Sequence, residues 1–285
     1  MRTTNRPVIV GAIIGILVLL FYFSKEMTSI EKSISLLTSK DPKEFPLLSA
    51  AEDPALLEYV KQRLIQPPAV GNYNLLKPDK THFSQYRQSH VASKLLEGLD
   101  KGFFVEAGAL DGEDKSNSLY FERERSWTGL LVEPDPSLYE TLVSKKRKAF
   151  SINAAFSFSN TSDIVKFEPR RGLGRLVPGS RKGISVKTVP ISTMLQALEV
   201  TQIDFFSLDI EGAELKVLRT FPWDKVKIRL ICIEVNHIDF ERLDSIMKEQ
   251  GYMYVGKWNI DAWYGWKDLL QETINVEEYP KKLIP

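Results

Sequence analysis

Residues 102–112 read Gly-Phe-Phe-Val-Glu-Ala-Gly-Ala-Leu-Asp-Gly, an apolar run that ends in a turn rich in glycine. Such a run is typical of a buried strand, and the turn is typical of the point where the chain leaves a parallel strand. Further apolar runs at 130–132, 203–208 and 230–235 alternate with helical stretches. This alternation predicts an α/β fold with a doubly wound, mainly parallel sheet, in which ligands bind at the carboxyl ends of the strands.

The turn after the first strand favours a nucleoside ligand without a pyrophosphate. Glu106 and Asp111 would repel phosphate groups, and the turn lacks the three glycines of a dinucleotide-binding fingerprint. Gly108 has no Cβ and allows the backbone to approach such a ligand closely. Glu133 ends the next strand, where a carboxylate can accept hydrogen bonds from both hydroxyls of a ribose. We therefore predict that these four residues bind S-adenosylmethionine, although a tight strand–helix turn with incidental acids is the alternative.

Three segments of the chain resemble one known family. They are Phe-Val-Glu-Ala-Gly-Ala-Leu-Asp-Gly at 104–112, Leu-Val-Glu-Pro at 131–134, and a longer segment at 203–214. Its last six residues, Asp-Ile-Glu-Gly-Ala-Glu at 209–214, are the most specific part. Together these segments are similar to the FkbM family of methyltransferase-like domains, over roughly residues 101–266.

The resemblance carries expectations for fold and cofactor. It implies a class I methyltransferase (Rossmann-like) fold that binds S-adenosylmethionine. It also implies that Glu106, Gly108 and Glu133 contact this cofactor. Asn153 and Ala154, after the third strand, are the implied neighbours of the adenine.

A second group of polar residues follows the fourth and fifth predicted strands. Transfer of a methyl group to a hydroxyl needs an in-line approach and a base or a metal ion that makes the oxygen nucleophilic. Asp209 follows the fourth strand, and Glu234, Asn236 and His237 lie at or after the end of the fifth. Because the two strands are expected to be neighbours, these side chains share one rim. We predict that Asp209 and His237 are catalytic, with His237 as a base.

Two other interpretations of this rim remain open. Asp209, Glu234 and Asn236 offer the oxygen ligands that a divalent ion such as Mg²⁺ prefers, which makes them weak metal candidates. Alternatively, Asp209 and Glu211 cap the next helix and His237 only begins a helix. The sequence does not separate these alternatives.

A basic segment lies between the third and fourth predicted strands. Residues 170–182 contain five cations and no acid, together with three glycines. A lid that recognises an anionic substrate would have this composition. A disordered surface loop would have it as well, and this is the simpler interpretation.

The N-terminal end carries a membrane signal. Residues 8–23 contain no charge, and a membrane span needs about 20 apolar residues, with a range of about 17–25. A cleaved signal peptide is the competing interpretation, but no small-residue cleavage site follows. Arg2 and Arg6 precede the run, so the positive-inside tendency puts the N-terminus in the cytosol. The predicted organisation is a cytosolic tail at 1–7, a transmembrane signal-anchor at 8–24, a stalk and approach segment at 25–88, and the methyltransferase-like domain at 89–285.

This organisation predicts a single-pass type II membrane protein of the endoplasmic reticulum or Golgi, with endosome or plasma membrane as alternatives. An anchor followed by such a domain also resembles the Star-like proteins of arthropods. The predicted function is a membrane-anchored methyltransferase-like protein of the secretory pathway, which transfers a methyl group to oxygen in a small molecule or glycan. The Star-like resemblance implies an alternative, a non-catalytic factor that escorts a cargo protein, such as a growth-factor precursor, from endoplasmic reticulum to Golgi.

The composition excludes several other classes of protein. Lys and Arg number 38 against 37 Asp and Glu, so the net charge of +1 argues against a nucleic-acid partner. A single cysteine, Cys232, excludes an intrachain disulfide. The hydrophobic fraction of 43% is that of a folded chain.

Overall fold

The computed structural model describes residues 44–170 and 172–266. The predicted cytosolic tail and the predicted span at 8–24 lie outside these residues. Within the described ranges, the helices are all too short or too polar to cross a membrane. A compact unit begins at Phe45 and contains every strand and helix given below.

Strands supply the framework of this unit. In the described part of the chain they are β1 (Ile65–Gln66), β2 (Phe103–Ala107), β3 (Thr128–Val132), β4 (Phe150–Ile152), β5 (Ala155–Phe156), β6 (Asp163–Glu168), β7 (Arg175–Leu176), β8 (Ile184–Val189), β9 (Gln202–Leu208), β10 (Lys227–Glu234), β11 (Tyr252–Trp258) and β12 (Asp261–Trp266). Eight of them form the main sheet, in the order β1-β4-β3-β2-β9-β10-β12-β11. The other four form a second sheet, in the order β5-β8-β6-β7.

The helices cover the main sheet or connect its strands. They are α1 (Pro54–Tyr59), α2 (Gln88–Leu95), α3 (Leu119–Glu124), α4 (Pro136–Ser144), α5 (Ile191–Ala197), α6 (Glu214–Thr220) and α7 (Phe240–Glu249), and a π-helical segment (Val60–Leu64) continues α1. Helix α4 begins where the sequence indicates, because Asp135 accepts hydrogen bonds from the backbone N–H groups of Ser137 and Leu138.

The main sheet confirms the predicted doubly wound class I methyltransferase architecture. Strands β4, β3, β2, β9 and β10 are parallel, whereas β12 is antiparallel to both β10 and β11. Both faces of the central strands are covered, which explains their continuous apolar sequences. Phe104 and Phe205 pack into one core layer, while Val105 and Phe206 pack into the layer on the opposite face.

The compact unit includes residues that the sequence analysis placed before the domain. The predicted stalk and approach segment ends at 88, but the chain is already packed on the domain from residue 45. Leu56 and Val60 are completely buried in the main core, and β1 pairs with β4 to form one edge of the main sheet. Leu56, Val60 and Leu64 recur every four residues, and this short apolar stripe is what attaches the segment to the sheet.

Two residues of the basic segment belong to the second sheet. Residues 175–176 form β7, which pairs with β6 through Phe167 opposite Leu176. Gly183 lies where a Cβ would come within 2.4 Å of the carbonyl oxygen of Phe167, so the return into β8 is tightly packed. The interpretation as a disordered loop is therefore wrong for residues 175–176.

Candidate functional site

A cavity lies at the carboxyl ends of β2, β3, β9 and β10. Its volume is about 230 Å³, and the second sheet supplies part of its wall through residues 172–174 and Leu176. This is the edge at which doubly wound sheets bind ligands. Of the predicted site residues, the cavity is lined by Glu106, Gly108, Glu133, Asp209, Glu234, Asn236 and His237.

Gly108 brings the turns after β2 and β9 into contact. Its φ is +79°, and a Cβ at this position would lie 2.2 Å from the carbonyl oxygen of Asp209. Both the conformation and the contact require glycine. The glycine is therefore needed for the contact with the neighbouring backbone, at the wall of the cavity. Its close approach to a ligand stays a prediction.

Glu106 is held inside the turn that follows β2. Its carboxylate accepts hydrogen bonds from the backbone N–H of Asn117, at 2.6 Å, and from the hydroxyls of Ser116 and Ser118. The residue is buried, so these donors compensate for the loss of water. Glu106 lies at the cavity wall, but its carboxylate organises the loop.

Asp111 holds the turn after β2 together, and its role in cofactor binding stays a prediction. Its carboxylate accepts hydrogen bonds from the backbone N–H groups of Glu113 and Asp114, at 2.9 and 2.7 Å, as aspartates in turns commonly do. Among the described residues that line the cavity, the turn contributes Leu110 instead of Asp111. The aspartate shapes the turn.

Glu133 is the acidic residue best placed to bind a ligand. It is 3% exposed, and each carboxylate oxygen accepts one hydrogen bond, from the backbone N–H groups of Asp135 at 2.8 Å and Leu110 at 2.9 Å. A carboxylate oxygen can accept two hydrogen bonds, so each retains one acceptor position. Burial raises the pKa of Glu133 to about 8.

The chain reaches the cavity just after the two residues that the resemblance places near an adenine. Asn153 donates from its side-chain amide to the carbonyl oxygens of Glu133 and Pro134, at 2.9 and 3.2 Å. Ala154 is completely buried. Neither residue lines the cavity, whereas Ala155 and Phe156 do. The chain turns into β5 two residues after β4 ends, which places Ala155 and Phe156 at the cavity. That Asn153 and Ala154 lie near an adenine stays a prediction.

The loop after β9 is not organised by helix capping. Helix α6 begins at Glu214, its N-cap is Ala213, and no side chain caps it. Glu211 has a φ of +57° and lies in the turn before the helix. Glu214 holds this turn, since its Oε1 accepts hydrogen bonds from the backbone N–H groups of Ile210 and Gly212. The capping interpretation of Asp209 and Glu211 is wrong.

The predicted rim of polar residues is present. His237 precedes α7, whose N-cap is Asp239, so it does not begin a helix. Its Nε2 lies 3.7 Å from Oε2 of Glu211, and the His237 side chain is 57% exposed. Asp209, Glu234 and His237 all line the cavity. The ends of β9 and β10 therefore bring both predicted catalytic residues to one site.

The acids of this rim hold protons more tightly than ordinary carboxyl groups. Burial raises the pKa of Asp209 well above its usual value, and the negative charges of Glu234 and Glu211 add to the effect. Burial, followed by the charges of Glu214 and Glu211, raises the pKa of Glu234 to about 7. Such shifts are common where carboxyl groups share an active site.

The described residues also include two groups with the geometry of a metal site. One is Glu211, Glu234 and His237, and the other is Asp209, Glu214 and Glu234. In each group one ligand atom from every residue lies within 4.8 Å of the others. The predicted set of Asp209, Glu234 and Asn236 shares two members with the second group.

A family model for the methyltransferase FkbM domain matches residues 106–254, just over half of the chain. The chain belongs to the FkbM methyltransferase-domain family. The match begins at Glu106, includes the Asp209–Glu214 segment and ends in β11. The matched range therefore includes the ends of the strands that line the cavity of this FkbM domain.

Solved structures with a similar chain path are methyltransferases of low sequence identity. A precorrin-6y C5,15-methyltransferase from Geobacter metallireducens GS-15 has 12% identity and a TM-score of 0.36, over 70% of this chain and 97% of its own. Fibrillarin from Aeropyrum pernix, in complex with natively bound S-adenosyl-L-methionine, has 13% identity and a TM-score of 0.38, over 69% and 87%. A TehB-like SAM-dependent methyltransferase from Corynebacterium glutamicum ATCC 13032 Kitasato has 11% identity and a TM-score of 0.34, over 65% and 89%. Comparison with curated protein sequences gives no significant match.

The raised pKa of Glu133 predicts how stability depends on pH. Between its ordinary value of 4.5 and about 8, the folded FkbM domain keeps a proton that the unfolded chain has lost. The contribution of Glu133 to the free energy of unfolding is fully present below pH 4.5 and is lost as the pH rises through about 8. We expect the free energy of unfolding, from urea titrations between about pH 5 and 8, to fall by about 2–4 kcal/mol more in the wild type than in Glu133→Gln. Parallel pH profiles would contradict this assignment.

Proposed function

We propose that this FkbM-family domain is an S-adenosylmethionine-dependent methyltransferase that transfers a methyl group to an oxygen acceptor. The observation that carries the proposal is Glu133, a buried carboxyl group at the cavity wall with one hydrogen-bonding position left on each oxygen. A ribose offers two neighbouring hydroxyl donors, which match these two positions. A carboxylate here disfavours a phosphate ligand.

The neighbouring residues fit the rest of such a nucleoside. Phe156 and Leu138 give the same cavity an apolar part, suited to the faces of an adenine. Gly108 and Leu110 form the turn beside Glu133, and Leu110 supplies one of the two N–H groups that fix the carboxylate. The proposed site therefore combines an apolar wall, a glycine turn and a diol-binding carboxylate.

The rim supplies the groups that methyl transfer to a hydroxyl requires. When bound, S-adenosylmethionine supplies an electrophilic methyl group on a positively charged sulfur. His237 is our proposed base: its Nε2 faces Glu211, which leaves Nδ1 to take the proton of the acceptor hydroxyl. Glu211 then stabilises the imidazolium. Asp209 lines the cavity between the Gly108 turn and Glu234, and its proposed role is to orient the acceptor.

Calorimetric titration of the full-length protein with S-adenosylmethionine tests this proposal. We expect saturable binding by the wild type and binding at least about tenfold weaker in Glu133→Ala, because two hydrogen bonds to the Glu133 carboxyl group are lost. Glu140→Ala is the matched control, since Glu140 is an exposed acid on α4, the helix that follows Glu133. Absence of binding by a folded wild type would overturn the enzyme function and leave a cargo-binding scaffold as the better account.

We further propose that the domain is held on the lumenal side of an endoplasmic reticulum or Golgi membrane. The support is the uncharged run at 8–23, preceded by Arg2 and Arg6. Protease treatment of sealed microsomes tests this proposal. Protection of the domain from digestion is expected, and digestion without detergent would contradict it.

A further inference from the structure

Two buried carboxylates at the base of the cavity each keep an oxygen that no described residue satisfies. Glu214 is completely buried, and its Oε2 has no hydrogen-bond partner among the described residues, although its Oε1 has two. Glu234 is 4% exposed, and its Oε2 is also without a partner in the described ranges. Buried acceptors of this kind are strongly unfavourable unless a proton or a cation meets them.

These two residues converge with a third acid. One carboxylate oxygen each of Asp209, Glu214 and Glu234 lies within 4.8 Å of the others. Three carboxylate oxygens at this spacing are ligands of the kind that hard divalent cations prefer. We propose that Asp209, Glu214 and Glu234 form a divalent-cation site, suited to Mg²⁺ or Mn²⁺.

The surrounding charges favour a cation in this inner group. The charged neighbours that raise the pKa of Asp209 are all acids: Glu234, Glu211, Glu214 and Asp261. Two basic groups, His237 and Lys115, act on Glu211, which lies outside the inner group. His237 also acts on Glu234. A divalent ion would balance the inner acids without displacing His237 from its partner.

The position of the site gives the ion a role. Asp209 and Glu234 line the cavity, whereas Glu214 lies behind them, so an ion between the three has one side towards the acceptor. A hydroxyl oxygen bound to such an ion loses its proton more readily, and His237 Nδ1 can take that proton. This role rests on the proposed methyl transfer, whereas binding of the cation does not.

Titration of the metal-stripped full-length protein with MnCl₂ tests the site, with free Mn²⁺ followed by electron paramagnetic resonance and MgCl₂ as competitor. We expect one ion per chain in the wild type. Binding should weaken at least about tenfold in Glu214→Gln and in Glu234→Gln, because each loses one of three charged ligands. Glutamine keeps the acceptor that Ile210 and Gly212 use. Glu211→Gln is the matched control, from the same loop but outside the inner group, and should weaken binding much less than either inner substitution, because it removes a neighbouring charge and not a ligand.

Two results would overturn this assignment. One is absence of Mn²⁺ binding by wild-type protein whose circular dichroism shows it to be folded. The other is loss of binding in Glu211→Gln but not in Glu214→Gln, which would move the ion to the outer group with His237. If Glu214→Gln does not fold, Glu234→Gln against Glu211→Gln still decides whether the inner acids bind the ion. Calorimetry with S-adenosylmethionine in the absence of metal reports on the cofactor site separately, so the two proposals can fail independently.

Discussion

Gly108→Ala is expected to abolish S-adenosylmethionine binding and to lower the free energy of unfolding by about 2–4 kcal/mol. The added Cβ would lie 2.2 Å from the carbonyl oxygen of Asp209, a backbone atom that cannot rotate away. The turns after β2 and β9 would have to separate, and these turns form the cavity wall. Urea unfolding and calorimetric titration of the variant measure the two effects.

Gly98→Ala is the matched control for this substitution. Gly98 has a φ of +81°, close to the +79° of Gly108, but a Cβ there would meet nothing within 4 Å. It therefore carries the conformational strain without the collision, and we expect a loss of about 1 kcal/mol with cofactor binding unchanged. An equal fall in the free energy of unfolding in the two variants would contradict the importance of the contact between Gly108 and Asp209.

Arg147→Met is expected to lower the free energy of unfolding by about 3–5 kcal/mol. Arg147 is buried, and its Nε lies 2.9 Å from Oε2 of the equally buried Glu122. Its guanidinium also donates to the carbonyl oxygen of Gly112 and to the hydroxyl of Ser118, a residue that binds Glu106. The substitution leaves the Glu122 carboxylate without its charged partner and loosens the turn beside the cavity.

The double variant Arg147→Met with Glu122→Met separates ionic pairing from packing. Removing both charges leaves neither member of the pair as a buried charge without its partner, so the double variant should be more stable than Arg147→Met alone. Urea unfolding of the two single variants and the double variant measures the coupling. A loss below about 1 kcal/mol in Arg147→Met would contradict the assigned role of the pair.

The fold was predictable because its central strands are buried on both faces. The segments around 103–107, 203–208 and 230–235 are nearly continuous in apolar residues, and only the interior of a parallel sheet accounts for such runs between helices. The attachment of residues 45–64 was not predictable in the same way. It depends on one short stripe, Leu56, Val60 and Leu64, followed by the Pro67-Pro68 pair that indicates an interruption.

The site was predictable in its strand ends but not in the direction of each side chain. Glu133 and Asp111 are both acids in the predicted site, but only Glu133 lines the cavity. The difference comes from the turn, where Asp111 binds the N–H groups of its own loop. Phe156 was missed because the exact end of β4, and so the number of residues before the chain reaches the cavity, depends on tertiary packing.

The basic residues before β4 also have partners that the sequence does not predict. A run of four cations at 145–148 is typical of a solvated helix end, and the sequence gives no sign of partners. In the structure Lys145 is buried beside Glu113, at 2.7 Å, and Arg147 is buried beside Glu122. These pairs join residues far apart in the chain, so local patterns do not reveal them.

A crystal structure of the protein with S-adenosylhomocysteine would test the central claim most directly. We expect the ribose hydroxyls on the two oxygens of Glu133, the adenine against Phe156, and the sulfur on the side of the cavity nearest Asp209. A nucleoside bound outside this cavity, or bound within it without contact to Glu133, would contradict the account.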